Sequence, residues 1–283
     1  MQEYANHIKA DLHTHTYYSD GILSPSELVA KARESGLNFL SVTDHDNVDG
    51  LEEALDKGKE LGIEVIPGVE LSTELNDHEV HVLGYFMDFK NSELLEHLIK
   101  FRGERYKRAE RIVKKLNSLN VGLEMSDVLQ KVRGNASIGR PHIAFALIER
   151  NFVGNYYEAF IKYLGDNKPA YEKKPNISTK DAIGLISRAG GISFVAHPGK
   201  TIRDNVLIEI MELGIDGFEV VHPSHSPDDV RYFRDFASQY FMLESGGSDF
   251  HGGRFNDDTL MGSFWISERK VREMKHRLFF KEN

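Results

Sequence analysis

The chain has 283 residues, 40% of them hydrophobic, and can therefore bury one large core or two modest ones. Its formal net charge of −9 argues against a surface that coats nucleic acid non-specifically, although a local metal site can still attract a phosphate. Cysteine is absent, so disulfides and thiolate chemistry are excluded and any metal must bind nitrogen and oxygen ligands.

The N-terminal residues carry no basic segment followed by an apolar one, so they predict no signal peptide. No apolar run approaches the roughly 18 residues that indicate a membrane span. We therefore expect a cytoplasmic protein that is not attached to a membrane, and the sequence indicates no obligate protein partner.

Short apolar runs rich in β-branched residues alternate with amphipathic helical patterns along much of the chain. This rhythm is typical of parallel βα units, and it predicts an α/β barrel. The predicted strands cover residues 8–12, 39–43, 64–68, 80–85, 192–196, 217–221 and 241–245.

The helices between these strands carry recognisable start and stop signals. The first, at 24–36, begins with Ser24 as N-cap, Pro25 at the first helical position and Glu27 three residues on, which together form a capping box. It ends at Gly36, where a left-handed residue is favoured. Similar patterns predict helices at 48–62, 178–190, 202–214 and 228–239.

Residues 91–169 interrupt this alternation with a series of helical patterns. Helices are predicted at 94–119, just after Glu124, at 141–150 and at 156–164. We therefore predict a discontinuous barrel formed by residues 1–90 and 170–283, with a helical insertion at 91–169. Arg102 and Arg105 lie one turn apart in the first of these helices and are predicted to belong to a solvated face.

Histidines and carboxylates collect at or near the ends of the predicted strands. In a parallel barrel these ends converge on one face, and residues two apart on a strand point to the same side. The candidate metal ligands are His13, His15, Asp20, His45, Glu70, His81, His197, Asp249 and His251.

This set contains more ligands than one ion needs, and a mixture of imidazole and carboxylate suits zinc, manganese or iron. A single histidine in a strand is usually structural, but His-x-His together with Asp-x-His on separate strand ends is not explained in that way. His78 competes with His81 as a ligand, and we favour His81. Asp44 and Asp46 either orient a ligand or cap the next helix.

Electrostatics also favours a multinuclear site. Three divalent ions would bring a formal charge of +6, against −3 from Asp20, Glu70 and Asp249, which leaves about +3 to attract a phosphate. A water bound to such ions has a pKa lowered toward roughly 7, so a metal-bound hydroxide is the expected nucleophile.

Five segments, taken in order, resemble the motifs of the PHP family, named for polymerase and histidinol phosphatase domains. They are Asp11-Leu12-His13-Thr14-His15, Ser19-Asp20-Gly21, Thr43-Asp44-His45-Asp46, Gly68-Val69-Glu70 and Ser248-Asp249-Phe250-His251. The resemblance implies a distorted seven-stranded (β/α)7 TIM-like barrel. It also implies three divalent ions, Mn²⁺, Fe²⁺ or Zn²⁺, two of which share Glu70 as a bridging ligand. The implied ligands are His13, His15, Glu70 and Asp249 for the first ion, Asp20, His45 and His251 for the second, and Glu70, His81 and His197 for the third.

Within this family the chain is most similar to the nucleotide phosphoesterases and 5′-to-3′ exoribonucleases, whose barrel carries a helical insertion. The supporting segments are 138–144, 190–199 and 217–225. The resemblance implies hydrolysis of nucleoside mono- or 3′,5′-bisphosphates, or of the 5′ ends of short RNA. Lys174 matches a basic position of this group, whereas Glu172 and Lys173 depart from its pattern.

Five residues are predicted to bind the substrate. Arg140 and His142 stand at the start of a predicted helix, whose free N–H groups suit an anion, although a simple helix-start role is an alternative. His222 and His225 follow a strand end and are expected to line the pocket, as is Lys174.

Other functions explain fewer of these residues than nucleotide hydrolysis does. A histidinol-phosphate phosphatase would leave the insertion and its Gly139-Arg140-Pro141-His142 segment unexplained. A metal-stabilised structural module would be favoured by a degraded ligand set, and amide hydrolysis fits the Asp20, Glu70 and His81 positions less well. We expect the insertion to close over the metal face and to confer selectivity, with both of its ends near the ligand-bearing rim. The alternative is an oligomer contact or a cap.

Overall fold

The computed structural model describes residues 8–199, 202, 204–254 and 257–281. These residues fold into a nearly closed, barrel-shaped sheet that is flanked by helices. The seven predicted strands are all present, and β5 and β9 are added to them. The bounds are β1 (Lys9–Asp11), β2 (Phe39–Val42), β3 (Glu64–Leu75), β4 (His78–Tyr85), β5 (Ile177–Ser178), β6 (Ile192–Val195), β7 (Gly217–Val221), β8 (Leu243–Gly246) and β9 (Ile266–Ser267).

The sheet has the order β8-β7-β6-β4-β3-β2-β1-β9, with β5 paired to β3. The two sides of the barrel meet between β1 and β8, where the Leu12 N–H donates to the Gly246 carbonyl at 3.1 Å. Just beyond, Thr14 forms a parallel bridge with Phe250. This closure brings the loop after β8 against the loop after β1, and both loops carry candidate ligands.

Strand β4 departs from the parallel βα rhythm of the sequence pattern, because it pairs antiparallel with both β3 and β6. Asn76 and Asp77 connect β3 to β4 in a tight turn, with φ of 49° and 63°, and so short a link cannot make a parallel crossover. Because β4 runs in the opposite direction, its first residues lie at the edge where the parallel strands end. His81 accordingly pairs in register with Ser72 of β3.

The barrel helices are α1 (Pro25–Glu34), α2 (Leu51–Leu61), α7 (Thr179–Arg188), α8 (Asp204–Glu212), α9 (Pro227–Gln239) and α10 (Glu268–Lys281). The capping box of α1 is confirmed, since the Glu27 N–H donates to Ser24 Oγ at 3.1 Å and the Ser24 N–H donates to Glu27 Oε2 at 2.7 Å. Gly36 has the expected positive φ of 78°. Across the described ranges, the helices lack the combination of length and apolar character that a membrane crossing demands.

The insertion folds as α3 (Ser92–Ser118), α4 (Met125–Leu129), α5 (Arg140–Glu149) and α6 (Tyr156–Ala159), the last continued by a π-helical turn at Phe160–Leu164. The first half of α3 packs on the barrel, since Leu94 and Leu98 belong to the barrel core. Its second half forms a separate apolar cluster with α4 and α5, which includes Ile112, Leu116 and Leu147.

The two ends of the insertion lie at opposite edges of the barrel, which corrects the expectation that both emerge at the rim. Tyr85, the last residue of β4, pairs with Ile192, the first residue of β6, so the chain leaves at the far edge. Helix α3 has 27 residues and is about 40 Å long. It runs from the far edge of the barrel to beyond the edge where the candidate ligands lie, which is the rim. The second end does return at the rim, where Ile177 pairs with Thr73.

Candidate metal centre

Glu70 lies at the middle of the polar residues that collect on one face of the barrel. Its side chain is buried on β3, and its Oε2 atom lies 3.2 Å from His13 Nε2 and 3.3 Å from His15 Nε2. The same oxygen lies 3.2 Å from His45 Nδ1. A single carboxylate oxygen is therefore shared by imidazoles that follow β1 and β2.

The second oxygen of Glu70 faces two further imidazoles. Oε1 lies 2.7 Å from His81 Nδ1 and 3.1 Å from His197 Nε2. Of the two competing histidines on β4, His81 thus reaches the cluster, whereas His78 is exposed at the far end of the hairpin. His197 follows β6 with a φ of 27°, an unfavourable backbone for a residue other than glycine and one often found at functional sites.

Asp249 bridges neighbouring imidazoles from the loop after β8. Its Oδ1 atom lies 3.0 Å from His15 Nε2 and 3.3 Å from His13 Nε2, and its Oδ2 atom lies 3.4 Å from His222 Nε2. The close approach of this loop depends on Gly247, because a Cβ atom there would stand 2.4 Å from the His13 backbone nitrogen.

Asp20, His45 and His251 complete the cluster on the side of the insertion. His251 Nε2 lies 3.4 Å from Asp20 Oδ1, and His45 Nε2 lies 4.0 Å from Asp20 Oδ2. All the predicted ligands therefore converge. Groups whose potential ligand atoms lie within 4.8 Å of one another include His13–His15–Glu70, His15–Asp20–His251, His45–Glu70–His81 and His13–His222–Asp249.

Several of these atoms are buried without a hydrogen-bond partner in the described part of the chain, namely His15 Nε2, His45 Nδ1 and Asp20 Oδ1. Buried polar atoms are normally paired, so such a group needs an explanation. Nitrogen and oxygen atoms that face one another at about 3 Å could each lie about 2.0–2.2 Å from a common cation. The donor set of imidazole and carboxylate therefore fits divalent transition-metal ions.

Two further carboxylates, Glu219 and Glu79, contact the ring nitrogens of His13 and His81 that face away from Glu70. His13 Nδ1 donates to Glu219 Oε1 at 2.9 Å, which leaves Nε2 free to face Glu70. Glu219 also accepts from the His197 backbone N–H at 2.6 Å. Glu79 Oε1 lies 3.0 Å from His81 Nε2 in the same way. Such partners fix the tautomer and orientation of a metal-binding histidine.

Sequence analysis missed both of these carboxylates, although each leaves a signal. Glu79 is two residues before His81 on the same strand, and therefore on the same face. Glu219 is a charged residue in the otherwise apolar strand β7, where burial requires a partner.

Asp44 and Asp46 orient the loops of the centre rather than cap a helix. Asp44 Oδ1 accepts from the Thr16 backbone N–H at 2.8 Å and from Ser19 Oγ at 2.6 Å, next to His15 and Asp20. Asp46 accepts from the Ser72 N–H at 2.9 Å. The N-cap position of α2 is Gly50 instead.

The predicted solvated face of α3 is wrong for Arg105. Its side chain is 4% exposed, and Nη2 donates to Asp46 Oδ2, which belongs to a residue that is itself 2% exposed. Nη2 also donates to Ser72 Oγ at 2.9 Å. Arg102 is half-buried and donates to Asn47 Oδ1 at 3.2 Å. The helix therefore turns these arginines toward the barrel, because α3 crosses the rim at this point.

The electrostatic field of the cluster keeps its carboxylates ionised. Burial opposes the charge of Glu70, but the imidazoles of His45, His81 and His13 outweigh it and hold the pKa of the carboxyl well below its usual range. Burial opposes the charge of His251, but the carboxylates of Asp20 and Asp249 outweigh it and raise the pKa of this imidazole to about 9. Metal ions bind ionised carboxylates and neutral imidazoles, so an ion bound here would displace the protons that such histidines hold.

A cavity of about 180 Å³ separates this cluster from the insertion. Asp20 and His45 border it on the barrel side. The other side chains that line it include cations and aromatic rings, namely Arg105, Arg108, Arg140, Lys174, Tyr156 and Phe160, together with Glu79. Lys174 lies beside the cluster, since its Nζ atom is 2.7 Å from Glu79 Oε1 and 3.2 Å from His81 Nε2. Arg140 and Lys174, two of the predicted substrate residues, therefore line this cavity, as do Arg108, Tyr156 and Phe160, which the sequence analysis does not name.

The three remaining predicted substrate residues differ in their positions. His142 is buried, and its Nδ1 accepts from the Gly139 N–H at 3.1 Å, which is the helix-start role. Both ring nitrogens of His225 are engaged by backbone, since Nδ1 donates to the Val220 carbonyl at 3.0 Å and Nε2 accepts from the Gly199 N–H at 3.1 Å. The structure therefore places His225 as a loop contact, not as a pocket-lining residue.

His222 does face the centre. Its Nδ1 accepts from the Ser224 backbone N–H at 3.1 Å, so its Nε2 carries the hydrogen and points toward Asp249. Held in this tautomer, the ring offers a hydrogen-bond donor rather than a lone pair to the centre. This geometry suits contact with a phosphate oxygen.

Comparison with known proteins gives consistent results. The profile of the PHP domain matches residues 11–167. The chain is 35% identical to a 5′-3′ exoribonuclease of Haemophilus influenzae over 86% of its length and 90% of the relative. It is 33% identical to a 3′,5′-nucleoside bisphosphate phosphatase of Chromobacterium violaceum, over 86% of its length and 89% of the relative. A solved structure from Bifidobacterium adolescentis, described as a candidate metal-dependent phosphoesterase, superposes with a TM-score of 0.87 at 32% identity, covering 94% of this chain and 95% of the other.

Proposed function

The chain belongs to the PHP domain family, with the fold of its metal-dependent phosphoesterases, and from that premise we propose that it hydrolyses phosphate esters of nucleotides. The substrates we infer are nucleoside mono- or 3′,5′-bisphosphates, or the 5′ ends of short RNA. The observation that carries this proposal is the concentration of cations in the cavity that adjoins the candidate metal centre.

The cations of this cavity are not all neutralised by their neighbours. Arg105 is paired with Asp46, Arg140 with Asp166 and Lys174 with Glu79. Arg108 is buried, donates Nε to the Glu172 carbonyl at 2.9 Å, and forms no ion pair within the described ranges. In a chain of net charge −9, a buried arginine next to Arg140 and Lys174 favours a phosphate on the substrate that is not the one being cleaved.

We propose three divalent ions, Mn²⁺, Fe²⁺ or Zn²⁺, with the ligands that the family resemblance implies. The first would be held by His13, His15, Glu70 and Asp249, the second by Asp20, His45 and His251, and the third by Glu70, His81 and His197. Bound there, such ions neutralise charge on the reacting phosphate and lower the pKa of a coordinated water toward roughly 7.

The chain's own residues would orient the reaction. Glu219 and Glu79 fix the rings of His13 and His81, and the cavity cations hold the second phosphate so that the ester is aligned. His222 Nε2–H is placed to donate to a phosphoryl oxygen. In the hydrolysis the oxygen of water bonds to phosphorus, the phosphorus–ester oxygen bond breaks, and the leaving oxygen takes up a proton to become an alcohol.

Other functions account for less of this geometry. A structural module has no use for a cationic cavity beside the ligands, and a histidinol phosphate offers these side chains neither a second phosphate nor a nucleobase. Location in the cytoplasm and the absence of an obligate protein partner stay predictions from the sequence.

Arg140 provides the test of selectivity. Its guanidinium lies over the rings of Phe160 and Tyr171, at 5.6 and 5.8 Å from their centroids, where it can meet both a phosphate and a base. We expect Arg140→Ala to lower kcat/KM on a nucleoside 3′,5′-bisphosphate by about 10-fold or more, or about 1.4 kcal/mol of transition-state binding. The loss on para-nitrophenyl phosphate, which lacks the second phosphate, should be several times smaller.

The matched control is Arg150→Ala, an exposed arginine at the other end of α5, which should change neither rate. Equal losses on the two substrates would place Arg140 at the reacting phosphate instead. No loss on either would contradict the proposed role of the cavity.

A further inference from the structure

A second, smaller cavity of about 50 Å³ lies beyond the loop that carries Asp20. Asp20 borders the first cavity, and the next two residues, Gly21 and Ile22, border the second. In the same way Pro141 borders the first cavity and His142 the second. The two cavities are thus neighbours on either side of a candidate metal ligand, and a chain-like substrate could occupy both.

Arg133 and Arg254 make the second cavity cationic. Arg254 Nη1 donates to the Asp20 carbonyl at 2.6 Å, which holds the guanidinium at the edge of the centre. Arg133 is exposed and forms no ion pair with any described residue, whereas Lys131, also at this cavity, is paired with Glu149. None of the described residues that line the cavity is acidic. An anion would therefore meet two arginines and no opposing carboxylate.

Apolar and aromatic groups accompany these arginines. Arg133 lies over the ring of Tyr17, 5.7 Å from its centroid, and Arg254 lies over Phe145 at 4.6 Å. The side chain of Ile22 is 38% exposed at the same place. Arginines interleaved with rings along a groove are characteristic of sites that bind single-stranded nucleic acid, where bases stack and phosphates pair.

We propose that the second cavity is a subsite for the nucleotide after the cleaved bond of a 5′-phosphorylated single-stranded oligonucleotide. This rests on the proposed function, in which the terminal nucleotide occupies the first cavity. Arg133 and Arg254 bind the next phosphate along the strand, and Tyr17 contacts the adjoining base. A nucleoside bisphosphate leaves this subsite empty, so the chain prefers an oligonucleotide to a mononucleotide.

Arg133→Ala in the manganese-loaded protein tests this subsite. We expect kcat/KM on a 5′-phosphorylated trinucleotide to fall about 10-fold, mainly through KM, because a charge-assisted phosphate contact is lost. On a nucleoside 3′,5′-bisphosphate the change should be less than about 2-fold, since no group of that substrate reaches the subsite. The dependence of log KM for the trinucleotide on log salt concentration should also become shallower by roughly 0.7, the contribution of one single-strand phosphate.

Arg231→Ala, at an exposed position on α9, is the matched control and should leave both substrates unaffected. Equal losses on both substrates, or no loss on the trinucleotide, would overturn the subsite. If the wild-type protein hydrolyses neither substrate, the proposed function has failed. Binding of a fluorescent trinucleotide, followed by its anisotropy, then still tests the subsite. The subsite requires that Arg133→Ala bind the trinucleotide more weakly than the wild type does.

Discussion

Glu70→Gln is expected to abolish phosphoester hydrolysis while leaving the fold intact. The two oxygens of Glu70 face five imidazoles between them, at 2.7–3.3 Å, and no other carboxylate of the described cluster has so many neighbours. Glutamine keeps the shape but replaces one oxygen by an NH₂ group and removes the negative charge. Loss of a residue that only hydrogen-bonds to a metal ligand already lowers metal affinity or activity by up to roughly 100-fold. For Glu70, a candidate ligand itself, we therefore expect kcat to fall by about 1,000-fold or more.

The measurement is phosphate release from a nucleoside 3′,5′-bisphosphate, together with the metal content of the same sample. We expect the variant to retain fewer ions than the wild type and to keep its circular dichroism spectrum, because apolar residues fill the barrel core. Glu64→Gln, at the exposed start of the same strand, is the control and should be as active as wild type. Near wild-type hydrolysis by Glu70→Gln would show that the centre is wrongly assigned.

Arg105→Met is expected to give the largest loss of stability among the arginines discussed here. Arg105 and Asp46 form a buried pair between the insertion and the loop after β2, and removing one partner leaves an uncompensated buried charge. Such losses are typically about 3–5 kcal/mol in the free energy of unfolding. The hydrogen bonds from the Ser72 N–H and Oγ to Asp46 remain, so the lower end of that range is expected.

Unfolding in urea with a chelator present isolates this effect from any bound metal. Arg188→Met is the matched control, because Arg188 and Glu93 are exposed and a surface pair contributes about 0–1 kcal/mol. Adding Asp46→Asn to Arg105→Met should recover part of the lost stability, since the buried charge is then gone. A loss no greater than that of the control would mean that the insertion is not fastened to the barrel by this pair.

The candidate ligands could be predicted from the sequence because they occur in short motifs at strand ends. Residues such as His13 and His15 are two apart after an apolar run, and that spacing alone places both side chains on one face. The topology of a barrel then brings separate strand ends together. Neither step requires knowledge of side-chain packing, so the convergence of these residues could be predicted even though the direction of β4 could not.

Features that depend on contacts between distant segments could not be predicted in this way. Arg105 belongs to a helix whose charge pattern resembles a solvated face, and only its crossing of the rim buries it against Asp46. The antiparallel direction of β4 rests on the tight turn at Asn76 and Asp77, which the sequence pattern of the strands does not reveal. His225 follows a strand end as His222 does, yet its ring turns to backbone groups on both sides.

The central claim, that this cluster makes the chain a metal-dependent phosphoesterase, is tested most directly by metal reconstitution. Chelator-treated protein is titrated with Mn²⁺, and phosphate release from a nucleoside 3′,5′-bisphosphate is followed against the number of ions bound per chain. We expect no release from the metal-free protein and a rate that keeps rising beyond the first ion, because one ion takes only about four to six ligands and the cluster offers more. Full activity without metal, or no activity at any loading, would contradict the account, and saturation at a single ion would contradict the multinuclear centre.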